Sequence, residues 1–480
     1  DKIALTVVDG TGAARERWRY GALREAVART AGGLLAAGLR RGDRVMLRLG
    51  NRSDFPILHL AAAAAGGVPA PTSPMLSPRE ARWIAEDLGA RFLCVDDDLR
   101  VDPPAGCAAL GPAEMAALRG GAPIEPVATA PEDPAFAVYT SGSSGRPKGV
   151  LHAHRASWAR RMMWRGWYGL TDADVMLHAG AFNWTYTLGA GLMDPWGAGA
   201  ATVIHDGPRD PGVWSRIAAA TGATLFAATP GVLRQLLKYG AGVGRDMAGL
   251  RHALCAGETL PDSLAEAWRA ETGKPVFEAL GMSEISTYLS FSPDAPPTPG
   301  RAGRPQPGRR VAVLASGSDR PAPIGETGEL AVSRRDPGLM LGYWRDEAAT
   351  AAAFRGEWFV TGDLAEMDET GAVAHRGRAD EVMNAGGYRV APQEVEAALM
   401  AHPGVSEAAA VEVRPRPDVA IIAAFVVGEG IAPETLSAWL APRLAAYKRP
   451  KRIAVVDTLP KTATGKLRRK ALAQRALDPQ

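Results

Sequence analysis

Cysteine is scarce: three in 480 residues, Cys94, Cys107 and Cys255, scattered and without a C-x-x-C pair. That excludes a disulfide framework and gives no support to a thiolate zinc site. It fits a reducing cytosol, so a cytoplasmic protein is expected. An excess of one charge sign is missing too. The 55 basic and 52 acidic residues leave a formal net charge of +3, too balanced to imply nucleic acid or an anionic membrane surface. No signal-peptide pattern opens the chain, and "HLAAAAAGGVPAP" is too weakly hydrophobic and too proline-rich to span a bilayer, so no integral membrane association is expected. Tandem repeats and heptad runs are absent.

What is present is ordinary globular material. Apolar residues make up 46%, enough for sizeable cores, and 480 residues imply two or more domains. Helical spacing runs through 21–40, and "DRVMLRL" follows as a strand. "SPREARWIAEDLGA" has Ser77 placed to cap and Pro78 at the first helical position, and "RFLCVDD" is the next strand. The alternation recurs at 213–230 and 262–280, which argues for an α/β architecture. Residues 293–308, "PDAPPTPGRAGRPQPG", have the strongest loop composition, and composition alone puts a domain boundary there. Beyond it come β-rich segments, "RRVAVL", "GELAVS", "EWFV" and "GAVAHRG". The last hundred residues return to mixed α/β, with "APQEVEAALMA" and "PETLSAWLAPRLAA" as helices.

One segment concentrates glycines, hydroxyls and a lysine: "YTSGSSGRPKGVLHAHR", Tyr139 to Arg155. A Gly/Ser loop after an apolar strand can turn successive backbone N–H groups inward and bind phosphate oxygens, with lysine adding a point charge. It is not a Walker A loop, because Pro147 precedes Lys148 and Gly149 follows it. Alone, such a segment is more often a surface turn.

It does not stand alone. "TSGSSGRPKG" resembles the phosphate loop of the adenylate-forming superfamily: acyl- and aryl-CoA synthetases, peptide-synthetase adenylation domains and luciferases. "AGETL" (256–260) resembles its adenine-side loop, "GMSE" (281–284) its Y-G-x-T-E segment and "WFVTGD" (358–363) its ribose-binding segment. "GRADEVMNAGGYRVAPQEVE" (377–396) resembles the hinge and the strand after it, and "PKTATGK" (460–466) the C-terminal lysine motif. Six collinear matches cover essentially the whole chain. The resemblance implies an α/β fold: a large N-terminal domain over 1–379 with a small β-barrel-like subdomain at about 300–379, then a small mobile α+β domain over 380–480. This moves the boundary from the proline-rich stretch to about residue 380.

The resemblance also implies the chemistry. A carboxylate is a poor electrophile, and attack on the α-phosphate of ATP gives an acyl-adenylate whose AMP can leave. Two anions must meet, so cations must screen them. Thr140, Ser141, Gly142, Ser143, Ser144, Gly145 and Lys148 are then the phosphate loop. Glu284 is the Mg²⁺ ligand, a hard oxygen donor. Ser283 bonds the α-phosphate or the acyl oxygen. Gly257, Glu258, Leu280, Gly281 and Met282 border the nucleotide, with Leu280 an aliphatic where the family usually has an aromatic. Asp363 takes the ribose hydroxyls, and Arg378 the ribose or phosphate. Lys466 bridges carboxylate and α-phosphate during adenylation. Asp380 is the hinge. Gly386 and Gly387 leave room for a pantetheine arm, and Arg389 holds a phosphate of CoA.

For the acid, "HAGAFNWTYTLGAGLMDPW" (178–196) lies where the family builds its acyl pocket, with Phe182, Asn183 and Trp184 as lining. Tyr186 and Tyr288 are further candidates, although such aromatics are more often core. Asn183 stands where amino-acid activators carry an aspartate, which disfavours an amino-acid substrate. Gly281 replaces the tryptophan of acetyl-CoA synthetases, which implies room beyond propionate. The expectation is an AMP-forming acid–CoA ligase for a medium-chain or small aromatic acid, using ATP, Mg²⁺ and CoA. The alternative is a free-standing adenylation enzyme that loads a carrier protein. The chain ends soon after Lys466, which sets the expectation that no carrier domain is fused. A degenerate nucleotide-binding module is disfavoured because Glu284 and Lys466 are both retained. A lysine acetyltransferase acting on Lys466 is an expected partner, since acetylation removes the charge.

Overall fold

The computed structural model describes residues 1–141, 147–208, 210–379, 381, 383–385, 388–416, 419–461 and 467–476. The backbone divides into two compact units, 1–310 with 333–354, and 311–332 with 355–480.

The first unit is built on a nine-stranded sheet in the order 304–305, 286–290, 276–282, 252–256, 225–228, 175–178, 201–205, 3–8, 14–19. Its six inner strands, 276–282 through 3–8, are parallel, and the outer ones are antiparallel. Parallel neighbours need crossovers, which the helices Val213–Thr221, Pro230–Tyr239 and Asp262–Thr272 supply. Both faces are covered, so the inner strands carry unbroken apolar runs such as Leu225–Ala228, every residue buried. The carboxyl ends of 175–178, 252–256 and 276–282 lie along one edge, and the segments singled out in the sequence start there.

A second, all-parallel sheet orders strands 68–71, 44–48, 90–95 and 108–110. The expected helix at Ser77 is Pro78–Leu88. Ser77 Oγ accepts from Glu80 N while Glu80 returns a bond to Ser77 N, a capping box, and Gly89 ends the helix at φ 62°. A third sheet is a hairpin of Pro134–Ser141 and Pro147–Ala153, with 342–343 pairing the second strand.

The second unit holds a five-stranded sheet of 311–314, 327–333, 354–355, 358–367 and 373–378. It also holds a sheet of 405–416, 419–428 and 452–455 covered by helices Pro392–Met400, Pro433–Leu440 and Arg469–Arg475. Its core packs Val395, Leu399, Ile422, Ala424, Leu436 and Leu440. The β-rich stretch therefore groups with the C-terminal segment, and the compact division falls just past the proline-rich run. The helix expected over "PETLSAWLAPRLAA" stops at Leu440, before Pro442. Among the described residues no helix is long and apolar enough to cross a membrane.

Candidate active site

The phosphate-loop motif is the connection of a β-hairpin. Thr140 pairs with Lys148, and Ser141 with Pro147. Gly142, Ser143, Ser144 and Gly145 lie outside the described residues. Lys148 is on the returning strand, its ammonium 5.0 Å from the centre of the Tyr343 ring and 3.8 Å from Asp346 Oδ2. Trp344 N and Leu341 N donate to the carbonyls of Gly149 and Leu151 and fix this segment to the strand.

Ser283, Glu284 and Ile285 form the turn between antiparallel strands Val276–Met282 and Ser286–Ser290. Glu284 is neither a helix end nor a surface residue: it is 9% exposed. Its Oε1 accepts from the Tyr343 hydroxyl at 2.8 Å, and its carbonyl accepts from Met340 N. Among the described residues no group of three or more His, Cys, Asp or Glu side chains could hold a metal by itself. A single carboxylate is the donor set that suits Mg²⁺ held mainly by substrate phosphates, so Glu284 fits that ion.

Behind the turn, His152 Nε2 lies 2.8 Å from the Ser283 carbonyl and its ring stacks on Phe136 at 4.6 Å between centroids. Burial pushes this imidazole down to about 4, so it is neutral, with Nε2–H donating to the carbonyl and Nδ1 left as an acceptor. A narrow cleft within the first unit is lined by His152, Phe136, Arg160, Thr185, Ser283 and Ser286, among others. Arg160 forms a bidentate pair with Asp194 at 2.7 and 2.6 Å, and its Nη1 donates to Ser286 Oγ at 2.8 Å. Gly189 lets the guanidinium lie on the backbone, since a Cβ there would stand 1.7 Å from Arg160 Nη2. Ser286 adopts φ 70°, a left-handed conformation that non-glycine residues rarely take. Sequence reasoning missed His152, Arg160, Thr185 and Ser286. Of these, only Thr185 lay in a segment already assigned to the acid.

The adenine-side loop meets the acid segment directly. Gly257 has φ 98°, and a Cβ there would come within 2.6 Å of the Trp184 ring. Trp184 stands edge-on to Tyr186, whose hydroxyl bonds the Leu254 carbonyl. Glu258 is exposed, while Leu280, Met282 and Asn183 are half-buried. Phe182, expected as pocket lining, is 1% exposed and packs on Phe55, 5.3 Å between ring centres, with the core around it. At Gly281 a Cβ would meet the Ser286 carbonyl and Thr287 Cα at 2.6 Å, so the close strand approach at a β-bulge by itself calls for glycine. Tyr288 is likewise core, fully buried.

In the second unit, Asp363 and Arg378 are register partners on neighbouring strands. Asp363 is 8% exposed, with Arg378 Nη1 at 3.5 Å and His375 Nε2 at 3.4 Å from its Oδ1. Gly362 has φ 79°, and a Cβ would collide with the Arg378 guanidinium at 2.6 Å, which explains the "TGD" glycine. His375 had no signal in the sequence. Asp380, Gly386, Gly387 and Lys466 lie outside the described residues, as does the side chain of Arg389.

Comparison with known proteins follows this layout. Residues 1–344 match the family described as AMP-binding enzyme, and 394–466 match the AMP-binding enzyme C-terminal domain. The chain is 31% identical over 473 residues to 3-hydroxybenzoate–CoA ligase of Aromatoleum sp. (strain CIB), covering 94% of this chain and 90% of that protein. It is 30% identical over 455 residues to benzoate–CoA ligase of Thauera aromatica, covering 90% and 86%. The backbone matches ATP-bound MatB from Rhodopseudomonas palustris with a TM-score of 0.90 at 26% identity, over 99% of this chain and 96% of that one. It matches a benzoate CoA ligase from Burkholderia xenovorans LB400 with a TM-score of 0.88 at 28% identity, over 98% and 96%.

Proposed function

Because the chain belongs to the AMP-binding enzyme family and is an AMP-forming acid–CoA ligase, we propose that its acid is a small aromatic carboxylic acid. The observation that carries this reading is the cleft between the 178–196 segment and the Ser283–Ser286 turn. Its walls are a ring, Phe136, and aliphatic groups such as Leu188 and Ile285. An apolar ring and aliphatic walls suit a flat ring. The hydroxybenzoate and benzoate ligases to which the chain is similar act on acids of that shape. The carrier-protein alternative is not favoured.

In the first half-reaction the acid's carboxylate oxygen attacks the α-phosphorus of ATP. The bond to the β-phosphate's bridging oxygen breaks, and pyrophosphate leaves. Lys148 and the backbone of the hairpin loop would neutralise the phosphates. Glu284, oriented by Tyr343, would hold Mg²⁺, which supplies charge screening to the phosphate oxygens when bound. Asp363 would accept hydrogen bonds from the ribose hydroxyls and be positioned by Arg378 and His375. Lys466 would bridge carboxylate and α-phosphate. In the second half-reaction the thiol of CoA releases its proton to water, sulfur attacks the acyl carbon, and AMP leaves with the electron pair of the broken C–O bond. The segment beyond about residue 380 would turn between the two steps, with Asp380 as its hinge.

The test is an acid panel of benzoate, its hydroxylated forms, hexanoate, octanoate and acetate, with ATP, Mg²⁺ and CoA. AMP release that needs an aromatic acid and rises with CoA is expected. A higher kcat/KM for hexanoate or octanoate than for any benzoate would reject the aromatic reading.

A further inference from the structure

The cleft carries polarity that an unsubstituted ring would not use. His152 is 2% exposed, yet its Nδ1 has no hydrogen-bond partner among the described residues. A buried acceptor without a partner carries a desolvation penalty of about 1–3 kcal/mol, so the site calls for an occupant. Opposite in chemistry is Ser286. Its oxygen accepts from Arg160, and among the described residues its own proton finds only the Met163 sulfur, 4.0 Å away. The cleft thus offers a neutral acceptor at His152 and a hydroxyl donor at Ser286, beside the further hydroxyls of Ser283 and Thr185.

The charged groups narrow the class of ligand. Arg160 is already neutralised by Asp194, and the other lining arginine, Arg309, by Asp336 at 2.7 Å. Each aspartate side chain is 1% exposed, so neither arginine has a spare charge to offer. A second carboxylate on the acid would find no net positive charge here. A group that donates one hydrogen bond and accepts another fits: a hydroxyl.

We propose that this cleft recognises a hydroxyl substituent on an aromatic acid, donating to His152 Nδ1 and accepting from Ser286, which Arg160 holds in place. The proposal rests on the aromatic reading above and adds to it the substituent and the residues that select it. His152 and Ser286 are specificity residues here. His152 also braces the turn through the Ser283 carbonyl, so its hydrogen-bonded face is committed to position and its other nitrogen to selection.

The experiment compares kcat/KM for benzoate with that for 2-, 3- and 4-hydroxybenzoate in the wild type, in His152→Gln and in Ser286→Ala. Glutamine keeps an N–H donor for the Ser283 carbonyl but moves the acceptor from the Nδ1 position to its amide oxygen. A site built to bond a hydroxyl discriminates strongly against the analogue that lacks it, so one isomer should exceed benzoate by at least about tenfold. In both variants that ratio should fall toward unity. Thermal melting separates misfolding from lost selection, and either variant suffices if the other fails to fold. A wild type that prefers benzoate, or a ratio unchanged in a folded variant, overturns the proposal while leaving the aromatic reading intact; the second result would mean that water alone serves Nδ1. Preference for a dicarboxylic acid overturns the proposal, and activity on alkanoic acids alone overturns both readings.

Discussion

The hydroxyl of Tyr343 donates to Oε1 of Glu284 at 2.8 Å, and the same ring lies 5.0 Å from the Lys148 ammonium. One side chain therefore links the phosphate-loop lysine to the carboxylate proposed for Mg²⁺. Tyr343→Phe keeps the ring for the lysine and removes only the hydroxyl. Loss of such an outer partner typically lowers metal affinity or activity by about 10–100-fold. The adenylation half-reaction, followed by pyrophosphate exchange, should need more Mg²⁺ in the variant. An identical Mg²⁺ titration in a folded variant would detach Glu284 from the metal.

Asp194 is the counter-ion of Arg160 and also accepts from the Tyr168 hydroxyl at 2.7 Å. With side chains 12% and 1% exposed, the pair is buried. Removing one partner of such a pair costs about 3–5 kcal/mol, because the other charge is stranded. Asp194→Asn should lose that much in urea unfolding. A loss below about 1 kcal/mol, the range of an exposed pair, would mean that water reaches Arg160.

Two kinds of buried group set opposite pH limits on stability. Burial lowers His59, His152 and His252 to about 4 and His178 to about 3. Their folded values are depressed, so the stability they allow is present above the ordinary 6.5 and is lost as pH falls toward about 4. Glu278, half-buried with the Leu260 amide against its carboxylate, is raised by desolvation from 4.5 to about 8. The stability it allows is present below 4.5 and is lost as pH rises to about 8. Melting temperature should therefore fall on the acid side, and Glu278→Gln should raise it more at pH 8 than at pH 5. Equal gains at both pH values would show that Glu278 is ionised throughout.

The role proposed for Lys466 would separate the half-reactions. In that role its ammonium would act while negative charge gathers between carboxylate and α-phosphate, and losing such a contact costs about 10²–10³ in rate. Lys466→Ala should cripple adenylation yet convert supplied acyl-AMP and CoA to thioester at close to the wild-type rate. Equal slowing of both steps would assign the lysine to folding or general binding.

Much of this was legible in the sequence because it is local. Ser77, Pro78 and Glu80 specify a helix start by themselves, and the apolar runs at 225–228 and 252–256 specify buried strands. Asp363 and Arg378 were named from separate motifs and meet across a strand pair. What stayed hidden depends on distant partners. Nothing beside Glu284 in the chain announces Tyr343, 59 residues away. His152 looks like any residue of a strand until the Ser283 carbonyl arrives from 131 residues on. The contact of Phe182 with Phe55 is hidden in the same way, because an aromatic in that segment has two faces to choose from. So is the strand that crowds Gly281, whose backbone stands where a side chain would begin.

The assignments to the acid and adenine loops follow strands that end on one edge of the parallel sheet. Between Ala179 and Leu188 the side chains divide: Phe182, Tyr186 and Leu188 enter the core, while Asn183 and Thr185 stay partly exposed at the rim. One short segment therefore serves both substrate and interior. Exchanging it between relatives would carry core side chains along with rim ones, so the strands beneath would have to be repacked with it.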